Sequence, residues 1–293
     1  MHEKIRTVCV VGAGNMGHQI STLAAIKGFE TYCTDVSRAQ LDKAQAFADT
    51  YLPGRVAKGK LSQAEVDAAR SRLHFTLSLE EAASSADFVI EAAPENLEIK
   101  RALFAQLDAI CPSHATLATN SSSIVSSLIA DATGRPEAVC NMHFFFPALV
   151  MNIVEIVKGP LTSEETGQAA VDMALALGKT PVVLNKEIYA FIVDRILYAM
   201  LKEAWNLVTL DIASPQSIDI AVEGALGHPM GPFRIIDMTG VDVIYDIFQG
   251  HFEDTGDPDE APPQFVVDMV KAGKLGKKSG AGFYDYSDVP EKA

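Results

Sequence analysis

The stretch Thr7-Val8-Cys9-Val10-Val11-Gly12-Ala13-Gly14-Asn15-Met16-Gly17 decides the fold of this chain. Its first five residues are β-branched or apolar and predict a strand, and its glycine-rich part leads into an amphipathic stretch, residues 15–27, that predicts a helix. Gly12 permits a tight turn, Gly14 lets the backbone approach a pyrophosphate, and Gly17 lets the helix pack closely on the strand. The free N–H groups at the start of that helix would bind the pyrophosphate. The pattern therefore predicts a dinucleotide site formed by Gly12, Ala13, Gly14, Asn15, Met16 and Gly17.

A second predicted strand, residues 30–34, leads directly to Asp35, and this acidic residue narrows the choice of dinucleotide. A carboxylate about 20 residues after the glycines can accept hydrogen bonds from both ribose hydroxyls of NAD, whereas it would repel the 2′-phosphate of NADP. Arg38 lies close by in the sequence and weakens that preference. We expect NAD as the cofactor; the competing interpretation is that these glycines are ordinary turn residues.

The rest of the chain separates into an α/β part and a helical part. Strand-like segments alternate with amphipathic helical segments up to about residue 187, which predicts a parallel sheet with helices on both faces. The predicted strands are residues 7–11, 30–34, 75–79, 87–92, 116–119, 138–143, 152–157 and 180–184. Beyond residue 187 apolar residues recur at helical spacing, interrupted by short Pro/Gly segments. We predict a Rossmann-like NAD-binding domain over residues 1–187 and an all-helical domain over residues 188–293.

Composition excludes several classes of protein. The 293 residues include 24 Lys and Arg against 38 Asp and Glu, a net charge of −14, which argues against a surface that binds nucleic acid or an anionic membrane. No apolar run approaches the ~20 residues that span a bilayer, and the first residues resemble neither a signal peptide nor a transit peptide. The four cysteines form no C-x-x-C pair, and the seven histidines show no metal-binding spacing. We expect a cytoplasmic protein without a metal site or a disulfide framework.

Several further segments together resemble one family. They are Asp87–Lys100 (DFVIEAAPENLEIK), Asn120–Ser123 (NSSS), His143–Pro147 (HFFFP), Met151–Glu155 (MNIVE), Gly178–Val182 (GKTPV), His228–Pro232 (HPMGP) and Gly276–Tyr284 (GKKSGAGFY). In order and spacing they resemble the L-3-hydroxyacyl-CoA dehydrogenase family, which includes 3-hydroxybutyryl-CoA dehydrogenases, over nearly the whole chain. The resemblance implies a Rossmann-like domain and a helical domain that forms a homodimer. It also implies reversible NAD-dependent oxidation of (S)-3-hydroxyacyl-CoA, with short-chain substrates, in fatty-acid β-oxidation or butanoate metabolism.

Oxidation of a secondary alcohol needs a base, and His143 is a candidate because an imidazole titrates near neutral pH. Glu155, on the next predicted strand, can orient the imidazole and stabilise its charged form. A His and a Glu at this spacing are by themselves more often a surface pair, but the resemblance assigns these two as the catalytic pair. It also gives Ser122 a hydrogen bond to the 3-oxygen of the substrate. Alternatively, Ser122 would cap a helix over residues 124–130, a role open to its two neighbouring serines as well.

The resemblance assigns four more residues to the cofactor, namely Glu95, Lys100, Asn120 and Lys278. For Glu95 and Lys100 the alternative is a solvated charge pair on an exposed helix face. The phosphates of an acyl-CoA substrate need a local basic patch in this acidic chain, and the segment RVAKGK at residues 55–60 supplies one. Lys58 and Lys60 are therefore candidate substrate-binding residues, although such a charge run is usually a solvated helix end.

The chain also departs from the family pattern. The usual His-Phe-Phe-Asn-Pro has Phe146 in place of Asn, the usual Pro-Gly-Phe-Ile-Val-Asn-Arg reads YAFIVDR with Asp194 in place of Asn, and Gln19 stands where a small residue is common. An Asn amide can donate a hydrogen bond to a substrate oxygen, whereas an ionised Asp only accepts and brings negative charge. We expect Asp194 to be catalytic. It could be a protonated acid, a second hydrogen-bond acceptor for His143, or the ion-pair partner of Arg195. Altered acyl specificity or a lower rate would follow.

Two other functions stay open at this point. One is an NAD-dependent dehydrogenase of a hydroxy acid without CoA, such as carnitine or gulonate, for which Phe146 and Asp194 could contact a cationic substrate. The other is a catalytically impaired dinucleotide-binding protein. The segments at 228–232 and 277–286 resemble the CoA-using branch, and the joint presence of Ser122 and the His–Glu pair favours an active enzyme.

Overall fold

The structure, a computed structural model, describes residues 5–287 and contains one eight-stranded sheet. The strands are β1 (Thr7–Val11), β2 (Glu30–Thr34), β3 (Leu73–Thr76), β4 (Phe88–Glu91), β5 (Thr116–Thr119), β6 (Val139–Phe144), β7 (Ile153–Val157) and β8 (Thr180–Leu184). Their order across the sheet is β3-β2-β1-β4-β5-β6-β7-β8. Strands β1 to β6 all run parallel to one another, β7 is antiparallel to β6, and β8 is parallel to β7. The strand order reverses at β1, and ligands of such sheets bind outside the carboxyl ends of the strands at that point.

Strand β1 shows why helices cover both faces of the sheet. Val8 and Val10 belong to a buried cluster with Ile20, whereas Cys9 belongs to a second buried cluster with Phe104. Successive side chains of a strand point to opposite faces, so a strand that is apolar at every position needs a cover on each side. The continuous apolar run in the sequence therefore places β1 in the interior of the sheet.

Seven helices accompany the sheet in the part of the chain described. They are α1 (Gly17–Ile26), α2 (Arg38–Ala57), α3 (Gln63–Ser71), α4 (Leu79–Ala83), α5 (Leu97–Ile110), α6 (Ser127–Ala130) and α7 (Glu164–Ala176). Several begin where a serine side chain accepts a first-turn N–H, as Ser37 does for α2 and Ser163 for α7. Helix α3 begins with a reciprocal capping box between Ser62 and Glu65.

The predicted class is confirmed, with two local differences. Strand β3 ends at Thr76 rather than at residue 79, because the Ser78 hydroxyl accepts the Glu81 N–H and starts a short helix there. The sheet is also not wholly parallel, because β7 returns antiparallel to β6 after a short connection. An antiparallel pair needs no crossover helix, so a short loop is enough to connect β6 to β7. Strands β7 and β8, at this edge of the sheet, therefore run opposite to the other six.

The C-terminal part is helical, as predicted. Its helices are α8 (Val193–Thr209), α9 (Pro215–Leu226), α10 (Pro232–Thr239), α11 (Val241–Thr255) and α12 (Gln264–Lys271). They enclose a core that includes Trp205, Phe233 and Phe248. Across residues 5–287, no helix combines the length and the apolar composition that a bilayer crossing requires.

The chain divides into two compact units, of which the first ends at Asp194 and the second begins at Arg195. The sequence-based limits of 187 and 188 stay a prediction about the domains. In the structure, Phe191 is buried in a cluster with Val157 and Leu184 of the sheet. The segment that leads into α8 therefore packs with the first unit.

Candidate active site

The glycine-rich loop after β1 has three glycines with three different surroundings. Gly12 has φ +98°, and a Cβ there would lie 2.5 Å from the carbonyl oxygen of Ala92. A Cβ on Gly17 would lie 1.6 Å from the carbonyl oxygen of Gly12, so the first turn of α1 touches the loop directly. A Cβ on Gly14 would meet no atom within 4 Å. Gly14 therefore borders open space, in which a bound ligand could contact the protein backbone. This space lies at the start of a helix that no side chain caps.

Asp35 follows β2 and lies beside this loop. Its Oδ2 accepts the Ala13 N–H at 2.8 Å and its Oδ1 accepts the Ser37 N–H at 2.8 Å, which fixes the carboxylate at the carboxyl edge of the sheet. An ionised carboxylate has about four acceptor sites, so two remain for further donors. Together with the space at Gly14, this carboxylate fits the ribose of a dinucleotide laid across the end of β1.

A buried ion pair lies at the end of β4. The Lys100 ammonium is 2.7 Å from Glu91 Oε1, and the two side chains are 1% and 0% exposed. Glu91 also accepts hydrogen bonds from the Thr119 hydroxyl at 2.6 Å and from the Ala93 N–H at 2.7 Å. A buried charge needs this many partners to offset its desolvation. The alternative of Lys100 as half of a solvated charge pair is wrong, and direct contact with a cofactor stays a prediction.

Glu95 links this ion pair to the loop after β5. It lies 3.4 Å from Lys100 Nζ and accepts hydrogen bonds from the hydroxyls of Ser121 and Ser123, the latter at 2.8 Å. Burial by itself raises the pKa of the Glu95 carboxyl, but Lys100 and the two serines outweigh it and hold that pKa below its usual range. Ser121 also accepts the Ile124 N–H at 2.8 Å, but no helix begins there. The helix predicted over residues 124–130 starts only at Ser127 and has no side-chain cap, so the capping alternative for Ser122 and its neighbouring serines is wrong.

Ser122 and Asn120 lie in the same loop with different surroundings. Ser122 is half-buried, and its hydroxyl takes no part in the bonds that its two serine neighbours make to Glu95. Asn120 Oδ1 accepts the Phe144 N–H at 2.9 Å, and its own N–H donates to the Glu91 carbonyl at 2.7 Å. Asn120 therefore ties the end of β5 to the end of β6, one residue beyond His143.

His143 and Glu155 are directly opposite each other on the antiparallel strands β6 and β7. The distance from His143 Nδ1 to Glu155 Oε2 is 2.9 Å, and both side chains are buried. The two residues face each other because paired positions on adjacent strands share one face of a sheet. The rings of Phe145 and Phe191 lie 4.5 and 5.6 Å from the imidazole, measured between centroids.

The remaining oxygen of Glu155 accepts two backbone N–H groups at the start of α8. Ile192 N lies 3.0 Å and Val193 N lies 2.9 Å from Oε1. Burial raises the pKa of Glu155, but the hydrogen bonds from His143 and these two N–H groups lower it further, so the net shift is downward. An ionised Glu155 only accepts hydrogen bonds, so the His143 proton lies on Nδ1 and the neutral imidazole presents a lone pair at Nε2.

The loop that carries those N–H groups has an uncommon backbone. Ala190 has φ +58° and Phe191 has φ +46°, both in the left-handed region that favours glycine. Asp194 follows them in the first turn of α8, with 18% of its side chain exposed. Its Oδ2 lies 4.0 Å from His143 Nε2, on the opposite side of the imidazole from Glu155. Burial raises the pKa of Asp194, His143 lowers it and Glu155 raises it, and the net shift is upward.

The structure does not bring every candidate residue together. Lys58 and Lys60 are exposed at the C-terminal end of α2, where they form no ion pair in the described chain. Lys278 belongs to the helical unit, and its Nζ lies 2.7 Å from Asp242 Oδ2. Phe146 is 62% exposed in the loop after β6. Their roles toward cofactor or substrate stay predictions.

Sequence reasoning missed two residues that organise the site. Glu91 was not singled out, although a charged residue at the end of an apolar strand (Phe88-Val89-Ile90) is a signal for a buried, paired carboxylate. Gln19 was noted only as a departure; its Oε1 accepts the Leu149 N–H at 3.3 Å and so ties α1 to the loop after β6. No sequence signal indicates the contact between Gln19 and Leu149, because 130 residues separate them in the chain.

Comparisons with known proteins match nearly the whole chain. A profile of the NAD-binding domain of 3-hydroxyacyl-CoA dehydrogenase matches residues 7–188, and a profile of its C-terminal domain matches residues 191–286. A Bacillus subtilis protein named "Probable 3-hydroxybutyryl-CoA dehydrogenase" is 39% identical over 97% of this chain and 99% of its own. The human mitochondrial hydroxyacyl-coenzyme A dehydrogenase is 38% identical over 96% and 91%. The crystal structure of (S)-3-hydroxybutyryl-CoA dehydrogenase from Ralstonia eutropha superposes with a TM-score of 0.90 at 36% identity, covering 97% of this chain and all of that one.

Proposed function

The chain belongs to the 3-hydroxyacyl-CoA dehydrogenase family of NAD-dependent oxidoreductases, and on that premise we propose that it interconverts short-chain (S)-3-hydroxyacyl-CoA and 3-oxoacyl-CoA. The observation that carries this proposal is the buried His143–Glu155 pair at 2.9 Å, in which the carboxylate bonds Nδ1 and leaves Nε2 to exchange a proton with the substrate. The preference for a short acyl chain is supported by the relatives named 3-hydroxybutyryl-CoA dehydrogenase.

In this proposal the residues around β1 hold the cofactor. The backbone of residues 12–17 would contact the pyrophosphate, with Gly14 at the closest approach, and Asp35 would accept the ribose hydroxyls. Glu95 and Asn120, at the ends of β4 and β5, would bound the nicotinamide end, and Lys100 would act on it by holding Glu95. When bound, NAD accepts a hydride from C3 of the substrate.

His143 moves the proton that accompanies hydride transfer. In the oxidising direction its Nε2 lone pair takes the proton of the 3-hydroxyl, and in the reducing direction the imidazolium returns it to the 3-oxygen. Glu155 keeps Nδ1 protonated and stabilises the imidazolium that forms. Ser122, whose hydroxyl is not used by Glu95, would donate a hydrogen bond to the same oxygen.

Two further parts of the proposal concern the CoA moiety and the assembly. Lys58 and Lys60 would pair with CoA phosphates, because they supply local positive charge in a chain of net charge −14. We also propose a cytoplasmic homodimer formed through the helical unit. The exposed apolar side chains Ile212, Ile220 and Leu226 of that unit support a self-association surface, and four buried free cysteines are consistent with a reducing compartment. Light scattering on the purified chain measures its oligomeric state.

The proposed substrate class is tested by following NADH absorbance with a panel of 3-oxoacyl-CoA thioesters of increasing length. Free 3-hydroxybutyrate, gulonate and carnitine are run with NAD in the oxidising direction. We expect the highest kcat/KM with acetoacetyl-CoA and a loss of at least a hundredfold in His143→Gln. Turnover of a free hydroxy acid above that of every thioester would contradict the proposal.

A further inference from the structure

The imidazole of His143 lies between two carboxylates, one at each ring nitrogen. Glu155 bonds Nδ1 at 2.9 Å, and Asp194 Oδ2 lies 4.0 Å from Nε2. We propose that Asp194 is a second catalytic residue of the reaction, acting as a hydrogen-bond donor: as a neutral carboxylic acid it donates a hydrogen bond to the substrate's 3-oxygen, and its ionisation suppresses turnover. This inference rests on the proposed function, because it assigns a role at the same reacting oxygen.

The geometry places the reacting oxygen within reach of both groups. An oxygen that exchanges a proton with Nε2 lies about 2.8 Å from it. The carboxyl oxygen of Asp194 is only 4.0 Å from the same nitrogen, so one substrate oxygen can contact Nε2 and Asp194 together. The Nδ1 side of the ring cannot serve this purpose, because Glu155 occupies it and is itself held by two backbone N–H groups of the α8 start.

The charge of Asp194 decides whether that contact helps. The 3-oxygen becomes more negative in the transition state of hydride transfer, in either direction. A neutral carboxylic acid can donate a hydrogen bond to that oxygen, as an Asn amide can, whereas a carboxylate can only accept and repels it. Asp194 must therefore keep its proton for the reaction to proceed.

The surroundings of Asp194 favour the neutral form. The side chain is mostly buried, which penalises its charge. The titratable groups that face it are Glu155 on β7, which is held ionised and repels a second negative charge, and His143 on β6, whose positive form opposes the effect. The net direction is an Asp194 pKa above its ordinary value.

The proton and electron balance is complete with this assignment. In oxidation the C3–H bond breaks and its electron pair leaves as hydride to NAD, while the 3-hydroxyl proton moves to His143 Nε2 and a C=O bond forms. The Asp194 proton is not consumed; it stays in the hydrogen bond to the oxygen. In reduction NADH returns the hydride to C3, and Nε2 returns the proton.

The test is the pH profile of kcat/KM for oxidation of (S)-3-hydroxybutyryl-CoA at saturating NAD, in the unmodified chain and in Asp194→Asn. The unmodified enzyme needs a neutral His143 and a protonated Asp194, so we expect a bell-shaped profile with an alkaline limb. Asn cannot ionise, so Asp194→Asn is expected to rise with pH to a plateau. At the alkaline end the variant should exceed the unmodified enzyme by at least tenfold.

Asp67→Asn, an exposed change of the same kind on α3, is the matched control and should keep the bell shape. A plateau in the unmodified enzyme, or equal profiles in both forms, would overturn the role of Asp194 alone. A chain that binds NADH but turns over no acyl-CoA would instead contradict the proposed function. An NMR titration of the Asp194 side-chain carboxyl carbon is a second readout that does not depend on turnover. The inference requires this carboxyl to stay protonated at a pH at which the imidazole is neutral, and a carboxyl that is already ionised there would overturn it.

Discussion

The ammonium group of Lys100 and the carboxylate of Glu91 meet at 2.7 Å in the interior of the sheet domain, with side chains 1% and 0% exposed. Lys100 comes from α5 and Glu91 from the end of β4, so the pair joins the helix to the strand that precedes it. Glu95 lies 3.4 Å from the same ammonium and bonds the two serines of the next loop. The pair thus supports the loops that border the proposed nicotinamide site.

Lys100→Met should destabilise the protein strongly. It leaves Glu91 buried without its counter-charge, a change that typically costs about 3–5 kcal/mol. Adding Glu91→Gln removes the orphaned charge, so the double variant should regain a large part of the loss. Urea unfolding of the unmodified protein, of Lys100→Met and of the double variant measures the three free energies of unfolding. Lys158→Met is the control, because the partner of Lys158 at 2.6 Å, Glu164, is 86% exposed and Lys158 itself is partly exposed; it should change the free energy of unfolding by less than about 1 kcal/mol. A Lys100→Met protein as stable as this control would show that the buried pair is not structural.

Gly14→Ala should impair cofactor binding, whereas Gly17→Ala should impair folding. A Cβ at Gly14 meets no protein atom within 4 Å, so the variant should fold with nearly unchanged stability but lose NADH affinity by at least tenfold. A Cβ at Gly17 would lie 1.6 Å from the Gly12 carbonyl oxygen, so that variant should unfold at lower temperature or fail to fold. Thermal unfolding and an NADH fluorescence titration separate the two effects. Full NADH affinity in Gly14→Ala would exclude a close cofactor contact at this residue.

Ala190→Gly should stabilise the protein. Ala190 has φ +58°, and a non-glycine residue in that region costs of order 1–3 kcal/mol, whereas glycine loses about 0.5–1 kcal/mol through the entropy of the unfolded chain. Ala190 is buried, so loss of its methyl group, at about 0.8 kcal/mol, offsets part of this relief, and the expected net gain in the free energy of unfolding is below about 1 kcal/mol. Ala102→Gly within α5 is the same change in a helical backbone and should instead lose about 1 kcal/mol. Chemical denaturation of both variants measures the two changes in the free energy of unfolding. Equal losses in the two variants would contradict backbone strain at Ala190.

Glu155→Gln should reduce kcat by about 10²–10⁴ while leaving NADH binding intact. The carboxylate fixes the imidazole tautomer and stabilises the imidazolium, and a neutral amide does neither well. Stopped-flow kinetics with acetoacetyl-CoA would measure the loss. A decrease of less than threefold would show that His143 works without its partner.

The same variant should show a pH-dependent stability difference. The pKa of Glu155 is lower in the folded protein than in the unfolded chain, so its ionised form stabilises the fold above the ordinary Glu range, near 4.3. That stabilisation is lost as the pH falls through the depressed folded-state pKa. Glu155→Gln should therefore be less stable than the unmodified protein at neutral pH and approach it in acid. Denaturation midpoints across this range provide the measurement; a constant difference would contradict the shift.

Local sequence patterns determined the strands and the nucleotide loop. The spacing of Gly12, Gly14 and Gly17 after an apolar strand, with Asp35 at the end of the next strand, depends on backbone geometry over few residues, and the structure shows the close approaches that require two of these glycines. Alternation of strand and helix patterns likewise predicted the α/β class, because side-chain periodicity reflects which faces are buried. Family resemblance then pointed to His143 and Glu155.

Tertiary structure alone decided which charged groups meet. Spacing could not show that Lys100 is buried on Glu91, that Ser121 rather than Ser122 bonds Glu95, or that Asp194 faces Nε2 of His143. Such pairs depend on the register between strands and on the path of the loop at Ala190, and their charge states depend on burial. Register, loop path and burial are determined only when distant segments pack together, so the local sequence around each residue does not predict them.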